Sequence, residues 1–238
     1  DRLEQNALKN ETFCFMSSRI RIAVPLLLVL LGLSLAFFRL TSFFDGFSIK
    51  AGWAMTDFKS TVYYPTVSFL NDENPYDAEQ FLERYPVRFP FPLYLPFTFL
   101  VYLPLGLLSY PTAASVYFSL AIVLTFVLGF VSLRVNELKP TLTMGLLVSG
   151  LILLSRPGHW NLLVGQSVLQ IVLASYLALY YARHSALLSG LGLAISFLKP
   201  TFGIPLALLM LVHGCLRPVF WGGVLASVAN LPLLLLLV

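Results

Sequence analysis

Long uninterrupted apolar stretches constrain this chain more than any other feature of its sequence. Two of the clearest run from Ala23 to Phe38 and from Leu120 to Val131. Only 11% of the 238 residues are charged, whereas soluble domains carry about 25%, so the chain could not cover an aqueous surface. A bilayer removes that requirement but demands internal pairing of every backbone polar group. Because the runs lack the alternation of barrel strands, they predict an all-α polytopic membrane protein.

Hydropathy indicates a single transmembrane domain, 1–238, in three parts. The first span is predicted at 22–38, since a helix needs about 20 apolar residues to cross a bilayer, and a cleaved signal peptide is the alternative. A polar, aromatic segment at 41–91 follows, which is predicted to be extracytoplasmic. The remaining membrane helices occupy 92–238, and the apolar run that ends at Val238 leads us to expect a piece of a longer protein. The later spans are predicted at Ala113–Leu133, Thr141–Leu154, Leu163–Ala182, Ala186–Leu198, Phe202–Val212 and Pro218–Val238.

Local patterns predict short helices inside the 41–91 segment. Phe58 and Phe69 fall near helical spacing, which suits an amphipathic helix on the membrane surface with a kink at Pro65. Asn74-Pro75-Tyr76 is typical of a turn. Asp77, with a glutamine three residues later, predicts the capped start of another helix. The remaining acidic residues of this segment are expected to form a solvated face: Asp72, Glu73, Glu79 and Glu83.

Positive charges in short loops set the predicted orientation. An N-terminal tail in the cytoplasm places the 41–91 segment outside. Phe89–Leu108, which contains four prolines, is either a kinked span or a re-entrant helix. If it does not cross fully, four cations fall on the cytoplasmic side: Arg134, Lys139, Arg183 and Arg217. If it crosses, the first two fall outside, which the positive-inside rule disfavours.

Two cations break this distribution. Arg156 and Lys199 stand in short outer loops, each directly before a proline and after a predicted helix too short to span a bilayer alone. Charges at membrane depth are costly and are functional candidates by default. For Arg156 the alternative is a side chain that reaches to the lipid headgroups.

One carboxylate and these two cations suit group transfer from a phosphate-linked lipid. Asp57 would accept a proton from an acceptor hydroxyl, and the cations would stabilise the phosphate leaving group. Asn161 and Gln166 lie near them as polar residues just before or at the start of a helix. The structural alternatives are helix N-capping for Asp57 and pairing with a neighbouring helix for Gln166.

Other kinds of site leave no recognisable pattern in the sequence. The three histidines are scattered, and neither a Walker-type loop nor a Rossmann fingerprint occurs, so no cofactor and no metal are predicted. A metal site formed by the carboxylates of the 41–91 segment is kept as an alternative. Because the net charge of +4 comes from scattered residues, nucleic acid is not an expected partner.

The order of these residues resembles a known family. Asp57 precedes Tyr63-Tyr64 and Asn74-Pro75-Tyr76-Asp77, and a proline-rich aromatic stretch follows. Gly165-Gln166 and Lys199-Pro200 complete the order. Over about Asp57 to Pro200 the chain resembles glycosyltransferase family 87, the polyprenyl-phosphate-mannose-dependent α-1,2-mannosyltransferases with the C-type membrane glycosyltransferase fold.

The resemblance implies a multi-pass enzyme, in the plasma membrane of a prokaryote, that works outside the cytoplasm. It would transfer a hexose, mannose by resemblance, from polyprenyl phosphate to a glycan or glycolipid acceptor with inversion. Asp57 would be the catalytic base, and Lys199 and Arg156 would contact the donor phosphate. Contacts to the sugar or acceptor would come from Gln166, Asn161, Tyr64, Asn74 and Tyr76. The alternatives are a transporter, a lipid flippase or a non-catalytic membrane subunit.

Overall fold

A computed structural model describes residues 20–39, 54–91 and 94–237, and their secondary structure is helical, without strands in these ranges. The elements are α1 (Ile20–Arg39), a π-helical segment (Phe58–Tyr63), α2 (Tyr64–Leu70), α3 (Ala78–Arg84), α4 (Phe97–Gly106), α5 (Tyr110–Val135), α6 (Leu142–Leu154), α7 (Arg156–Val164), α8 (Val168–Tyr181), α9 (Ala186–Ser196), α10 (Pro200–Val212) and α11 (Leu216–Leu236). The prediction of an all-α polytopic membrane protein is confirmed.

Among the described residues, three helices are long and apolar enough to cross a membrane: α1, α5 and α11. Most of their side chains are not buried by the rest of the chain, as expected for helices that face lipid. The span predicted at Leu163–Ala182 is wrong at its start. Gly165 adopts a left-handed conformation with φ +70° and ends α7, so the following helix begins only at Val168.

Small residues allow the helices to pack closely. A bilayer supplies little hydrophobic drive for helix association, so close backbone approach matters more. A Cβ added at Gly32 of α1 would lie 2.6 Å from Leu153 Cβ of α6, and one at Gly150 would lie 2.9 Å from Leu28 Cβ. The contacts pair Leu28 with Gly150 and, one turn further along both helices, Gly32 with Leu153. Helices α1 and α6 therefore run parallel.

The bundle has two ends, which we call the Asp57 end and the Arg183 end. At the Asp57 end, Asn74 Nδ2 donates to the Leu237 carbonyl at 3.3 Å. At the Arg183 end, the turns that follow α8 and α10 line one cleft, which contains Arg183 and Arg217. Arg134 shares a groove with the last turn of α8 and so lies at the Arg183 end as well.

Helix α4 begins and ends at the Asp57 end. Just before it, Leu95 N donates to the Leu198 carbonyl at 3.1 Å, and just after it the Leu108 carbonyl accepts from Tyr63 Oη at 2.8 Å. Its 10 residues span only about 15 Å. The Phe89–Leu108 segment therefore follows the re-entrant alternative rather than the crossing one.

The segment expected on the membrane surface is packed inside the protein, so that prediction was wrong. Phe58 and Val62 have no exposed surface, and the Phe58 ring lies 4.7 Å from the Tyr117 ring of α5. Pro65 lies in the first turn of α2, where proline is tolerated without a kink. Coverage by α4 and α5, which the local pattern does not reveal, explains the difference.

The predicted turn and the capped start of α3 are confirmed, but one of the four acidic residues expected in solvent is not exposed. Tyr76 N donates to Asn74 Oδ1 at 3.0 Å, and Gln80 N donates to Asp77 Oδ1 at 3.1 Å, which caps α3. Glu73 is 12% exposed and pairs with Arg84 at 2.8 Å. The other three acidic residues of the expected face are exposed.

Candidate active site around Asp57

Asp57 opens the π-helical segment and is not an N-cap in the usual sense. Its backbone is already helical, with φ −71° and ψ −37°, and its side chain makes no capping hydrogen bond within the part of the chain that the structure describes. Its backbone carbonyl accepts from Thr61 Oγ1 at 2.5 Å. Single π-helical turns are frequent at functional sites because they redirect side chains. The carboxylate is therefore free of the structural role that would have explained it.

Gln166 and Lys199 converge on this carboxylate from two other parts of the chain. The Gln166 side chain hydrogen-bonds to Asp57, and the Lys199 charge acts on it. Burial raises the pKa of the Asp57 carboxyl, while the hydrogen bond from Gln166 and the positive charge of Lys199 partly oppose that rise. A carboxylate with a raised pKa is a better proton acceptor near neutral pH. The three residues can thus remove a proton beside an anion-binding ammonium group.

Gly165 brings Gln166 to Asp57. It ends α7 with a positive φ, and a Cβ added to it would lie 2.7 Å from Phe58 Cβ. Met55 N donates to the Leu163 carbonyl at 2.8 Å, which fastens the start of the π-helical segment to α7. Only glycine allows both the backbone conformation and this close approach.

We expect Gly165→Ala to lower transfer activity strongly. The added methyl group would push Phe58, and with it Asp57, away from Gln166, and the left-handed backbone would cost roughly 1–2 kcal/mol. Gly214→Ala is the matched control, because Gly214 also has a positive φ of +76° but nothing lies within 4 Å of an added Cβ. Thermal stability in detergent and transfer rate would be measured for both variants. Equal activity of the two variants would contradict this assignment for Gly165.

Lys199 lies at the break between α9 and α10, half-buried, with two aromatic rings near its ammonium group. Its Nζ is 5.4 Å from the centroid of the Tyr94 ring and 5.7 Å from that of Phe202. Within the described ranges the structure has one salt bridge, between Arg84 and Glu73, so Lys199 acts on Asp57 from beyond salt-bridge distance. The face of an aromatic ring attracts an ammonium group electrostatically and does not use up its N–H donors. The N–H groups of Lys199 remain available to an anionic ligand.

Sequence reasoning missed Tyr94. It is 5% exposed, and its hydroxyl accepts from Ser167 Oγ at 3.1 Å. In the sequence it is one aromatic residue among many in a proline-rich stretch, and no local pattern distinguishes it. Only its proximity to Lys199 in the fold reveals it.

The structure shows no interaction of Arg156 with Asp57 and no salt bridge of Arg156 among the described residues. Arg156 begins α7, whereas Gln166 follows the other end of this nine-residue helix, about 13 Å along the axis. Its charge acts instead on His159: burial, Arg39 and Arg156 together lower the pKa of that imidazole. Arg156 itself is exposed.

Asn161 supports the corner that carries Gln166. Its backbone carbonyl accepts from Gly165 N at 2.9 Å and from Gln166 N at 3.2 Å. Its side chain is 7% exposed, and its Oδ1 has no hydrogen-bond partner among the described residues. A buried unpartnered amide oxygen costs free energy unless a ligand or water pairs with it, so Asn161 Oδ1 can accept a ligand hydroxyl.

The three remaining predicted contacts are engaged with the protein. The Tyr64 ring is stacked on Tyr110, with centroids 6.0 Å apart. Asn74 bonds to the Leu237 carbonyl, and Tyr76 Oη donates to the Tyr94 carbonyl at 2.6 Å. Tyr76 therefore touches the residue beside Lys199 rather than standing free. No group of three or more potential metal-binding side chains (His, Cys, Asp or Glu) occurs within 20–39, 54–91 and 94–237.

Comparison with known proteins identifies the family. The family model of glycosyltransferase family 87 matches residues 93–238, which is 146 of the chain's 238 residues. The match includes Gln166 and Lys199, and Asp57 precedes it. No curated protein and no solved structure gives a significant match. Because the match spans more than half of the chain, the protein belongs to glycosyltransferase family 87 and is a membrane glycosyltransferase.

Proposed function

We propose that this protein transfers a hexose, specifically mannose, from a polyprenyl-phosphate donor to an extracytoplasmic glycan or glycolipid acceptor. The observation that carries the proposal is the convergence of Asp57, Gln166 and Lys199 from three separate parts of the chain. A half-buried carboxylate and a nearby ammonium group that forms no salt bridge among the described residues supply a base and an anion site together. The choice of mannose and of polyprenyl phosphate rests on the family.

The proposed step is a single displacement at the anomeric carbon. The oxygen of the acceptor hydroxyl forms a bond to that carbon while the bond from carbon to the phosphate oxygen breaks. Asp57 takes the hydroxyl proton, and the electron pair of the broken bond leaves with polyprenyl phosphate. Because attack and departure occur on opposite faces, the anomeric configuration inverts.

Lys199 and Gln166 would support the transfer in two different ways. Lys199 would hold the donor phosphate and stabilise the negative charge that develops as it leaves. Gln166 would keep the Asp57 carboxylate oriented toward the acceptor through its hydrogen bond. Arg156, exposed at the other end of α7, would attract the anionic headgroup before it reaches Lys199 rather than contact it during transfer.

Contacts to the sugar or acceptor remain part of the proposal. Asn161 Oδ1 is the best supported, because it is buried and lacks a hydrogen-bond partner within the described residues. Tyr64, whose ring packs against Tyr85 and Tyr110, would present an aromatic face to a sugar. Asn74 and Tyr76 would act through the protein contacts they already make.

The charge distribution supports an extracytoplasmic site in a multi-pass protein of a prokaryotic plasma membrane. Arg134, Arg183 and Arg217 share the end of the bundle opposite Asp57. Short loops rich in Lys and Arg stay in the cytoplasm. Under that rule Asp57 faces outward, where a lipid-linked donor rather than a soluble nucleotide sugar would be available.

The test is sugar transfer in membranes that contain the full-length protein. Radiolabelled polyprenyl-phosphate mannose would be supplied with a panel of glycan acceptors, in right-side-out and in inverted vesicles. We expect transfer from donor in the outer leaflet and a product whose anomeric configuration is opposite to that of the donor.

Three outcomes would count against the proposal. A product with the donor's configuration would refute the single displacement. Transfer from a soluble nucleotide sugar but not from the lipid-linked sugar would refute the donor. Movement of the lipid-linked sugar between leaflets without transfer would favour the flippase alternative.

A further inference from the structure

We infer that Tyr94 is a positioning residue that sets the location of the Lys199 ammonium group, and that the Asn74-Pro75-Tyr76 turn holds Tyr94 in place. The inference rests on the proposed role of Lys199 at the donor phosphate. The Asn74-Pro75-Tyr76 turn, which only the family resemblance connects with the sugar or acceptor, would thus have a structural role.

The aromatic ring of Tyr94 contacts the ammonium group directly. The Tyr94 centroid lies 5.4 Å from Lys199 Nζ, within the distance at which a ring face attracts a cation. Tyr94 is 5% exposed, so water screens this attraction little. Lysine carries a flexible four-carbon stem, and a ring on a fixed backbone restricts where its charged end can lie.

Two hydrogen bonds fix Tyr94 itself, and a third fixes the residue that follows it. Its hydroxyl accepts from Ser167 Oγ at 3.1 Å, which ties the ring to the residue after Gln166. Its backbone carbonyl accepts from Tyr76 Oη at 2.6 Å. The next residue, Leu95, donates its N–H to the Leu198 carbonyl at 3.1 Å. Tyr94 is therefore bound at both sides to the segments that carry Gln166 and Lys199.

The same region is anchored to α11 by two asparagines. Asn230 Oδ1 accepts from Phe97 N at 2.8 Å, which satisfies an open N–H group at the start of α4. Asn74 Nδ2 donates to the Leu237 carbonyl at 3.3 Å, while Asn74 Oδ1 accepts a hydrogen bond from the backbone N–H of Tyr76. A displacement of the turn would thus be felt at Tyr94.

The test compares Tyr94→Leu with Tyr94→Phe in the full-length protein. Tyr94→Leu removes the ring, and we expect the donor KM to rise roughly tenfold while the acceptor KM stays unchanged. Tyr94→Phe keeps the ring and should restore a donor KM within about threefold of the wild type. A purely structural role would instead lower folded protein or kcat without separating the two KM values.

A second pair of variants avoids a large change in the core. Tyr76→Phe removes only the hydroxyl that bonds to the Tyr94 carbonyl, and we expect a donor KM about threefold higher. Tyr85→Phe is the matched control: it loses a hydrogen bond to Glu73 in the same segment, whereas its hydroxyl takes no part in the hydrogen bonds that hold Tyr94, and its donor KM should not change. An unchanged donor KM in both Tyr94→Leu and Tyr76→Phe would overturn the inference, as would equal increases in Tyr94→Leu and Tyr94→Phe.

Binding of sugar-free, radiolabelled polyprenyl phosphate separates this inference from the proposed function. In a Lys199→Gln background, Tyr94→Leu should weaken binding no further, because it acts through the ammonium group. Wild-type protein that binds polyprenyl phosphate in this Tyr94-dependent way but transfers no sugar would refute the function and retain the positioning role. Transfer by wild type with additive losses in the double variant would refute the positioning role alone.

Discussion

Replacing Asp57 with asparagine is expected to lower kcat for sugar transfer by about 10²–10⁴-fold, the range that a positioned general base contributes. The carboxamide has nearly the same shape as the carboxylate, so the contact with Gln166 and the packing of the π-helical segment should persist. It cannot take the proton of the acceptor hydroxyl, however. Initial rates with radiolabelled polyprenyl-phosphate mannose, together with donor binding, would measure the effect.

Asp77→Asn provides the control within the same segment. Asp77 caps α3, and asparagine caps helices about as well as aspartate, so activity within about twofold of the wild type is expected. Transfer by Asp57→Asn at the wild-type rate would exclude Asp57 as the base. Loss of polyprenyl-phosphate binding in Asp57→Asn would mean that the residue serves binding rather than proton transfer.

Lys199→Gln is expected to reduce kcat by roughly 10²–10³-fold, comparable to the loss of one group that stabilises a developing negative charge. Its donor KM should rise as well, because glutamine leaves the phosphate without the cation that lies near the Tyr94 and Phe202 rings. Lys139→Gln, a lysine in the loop between α5 and α6, is the matched control and should behave as the wild type. Wild-type values of both kcat and donor KM in Lys199→Gln would refute a role at the phosphate.

The same variant should change the pH dependence of transfer. The base works when Asp57 is ionised, so activity falls as the pH drops through the pKa of that carboxyl. The charge of Lys199 lowers this pKa against the larger effect of burial. Without that charge the pKa rises, and the acid limb of kcat/KM in Lys199→Gln should move to higher pH. Lys199→Arg keeps the charge and should leave the acid limb near its wild-type position.

Several elements could be predicted because their physical cause is local. Spans such as α5 follow from runs of apolar residues that only a bilayer accommodates, although the predicted limits, Ala113–Leu133, fall short of Tyr110–Val135. The cap at Asp77 needs only the residues of its own first turn. Asp57, Gln166 and Lys199 could be singled out because each is a polar group in a chain with few of them.

Other features depended on contacts that local patterns do not contain. The Phe58–Val62 stretch has the spacing of a surface helix, but α4 and α5 pack against it and bury it. Glu73 was expected in solvent and instead meets Arg84, a residue of α3. The start of α8 was misplaced because an apolar run hides the left-handed turn at Gly165.

The sequence by itself determined that this protein is a helical membrane protein, since composition and apolar run length leave few other ways to satisfy the backbone. It also marked Asp57, Gln166 and Lys199 as unusual. Only the tertiary structure decided that these three meet and that the Tyr94 ring lies beside Lys199. Residues 57, 94, 166 and 199 lie on separate segments, and only the close helix packing and the turn at Gly165 bring them together.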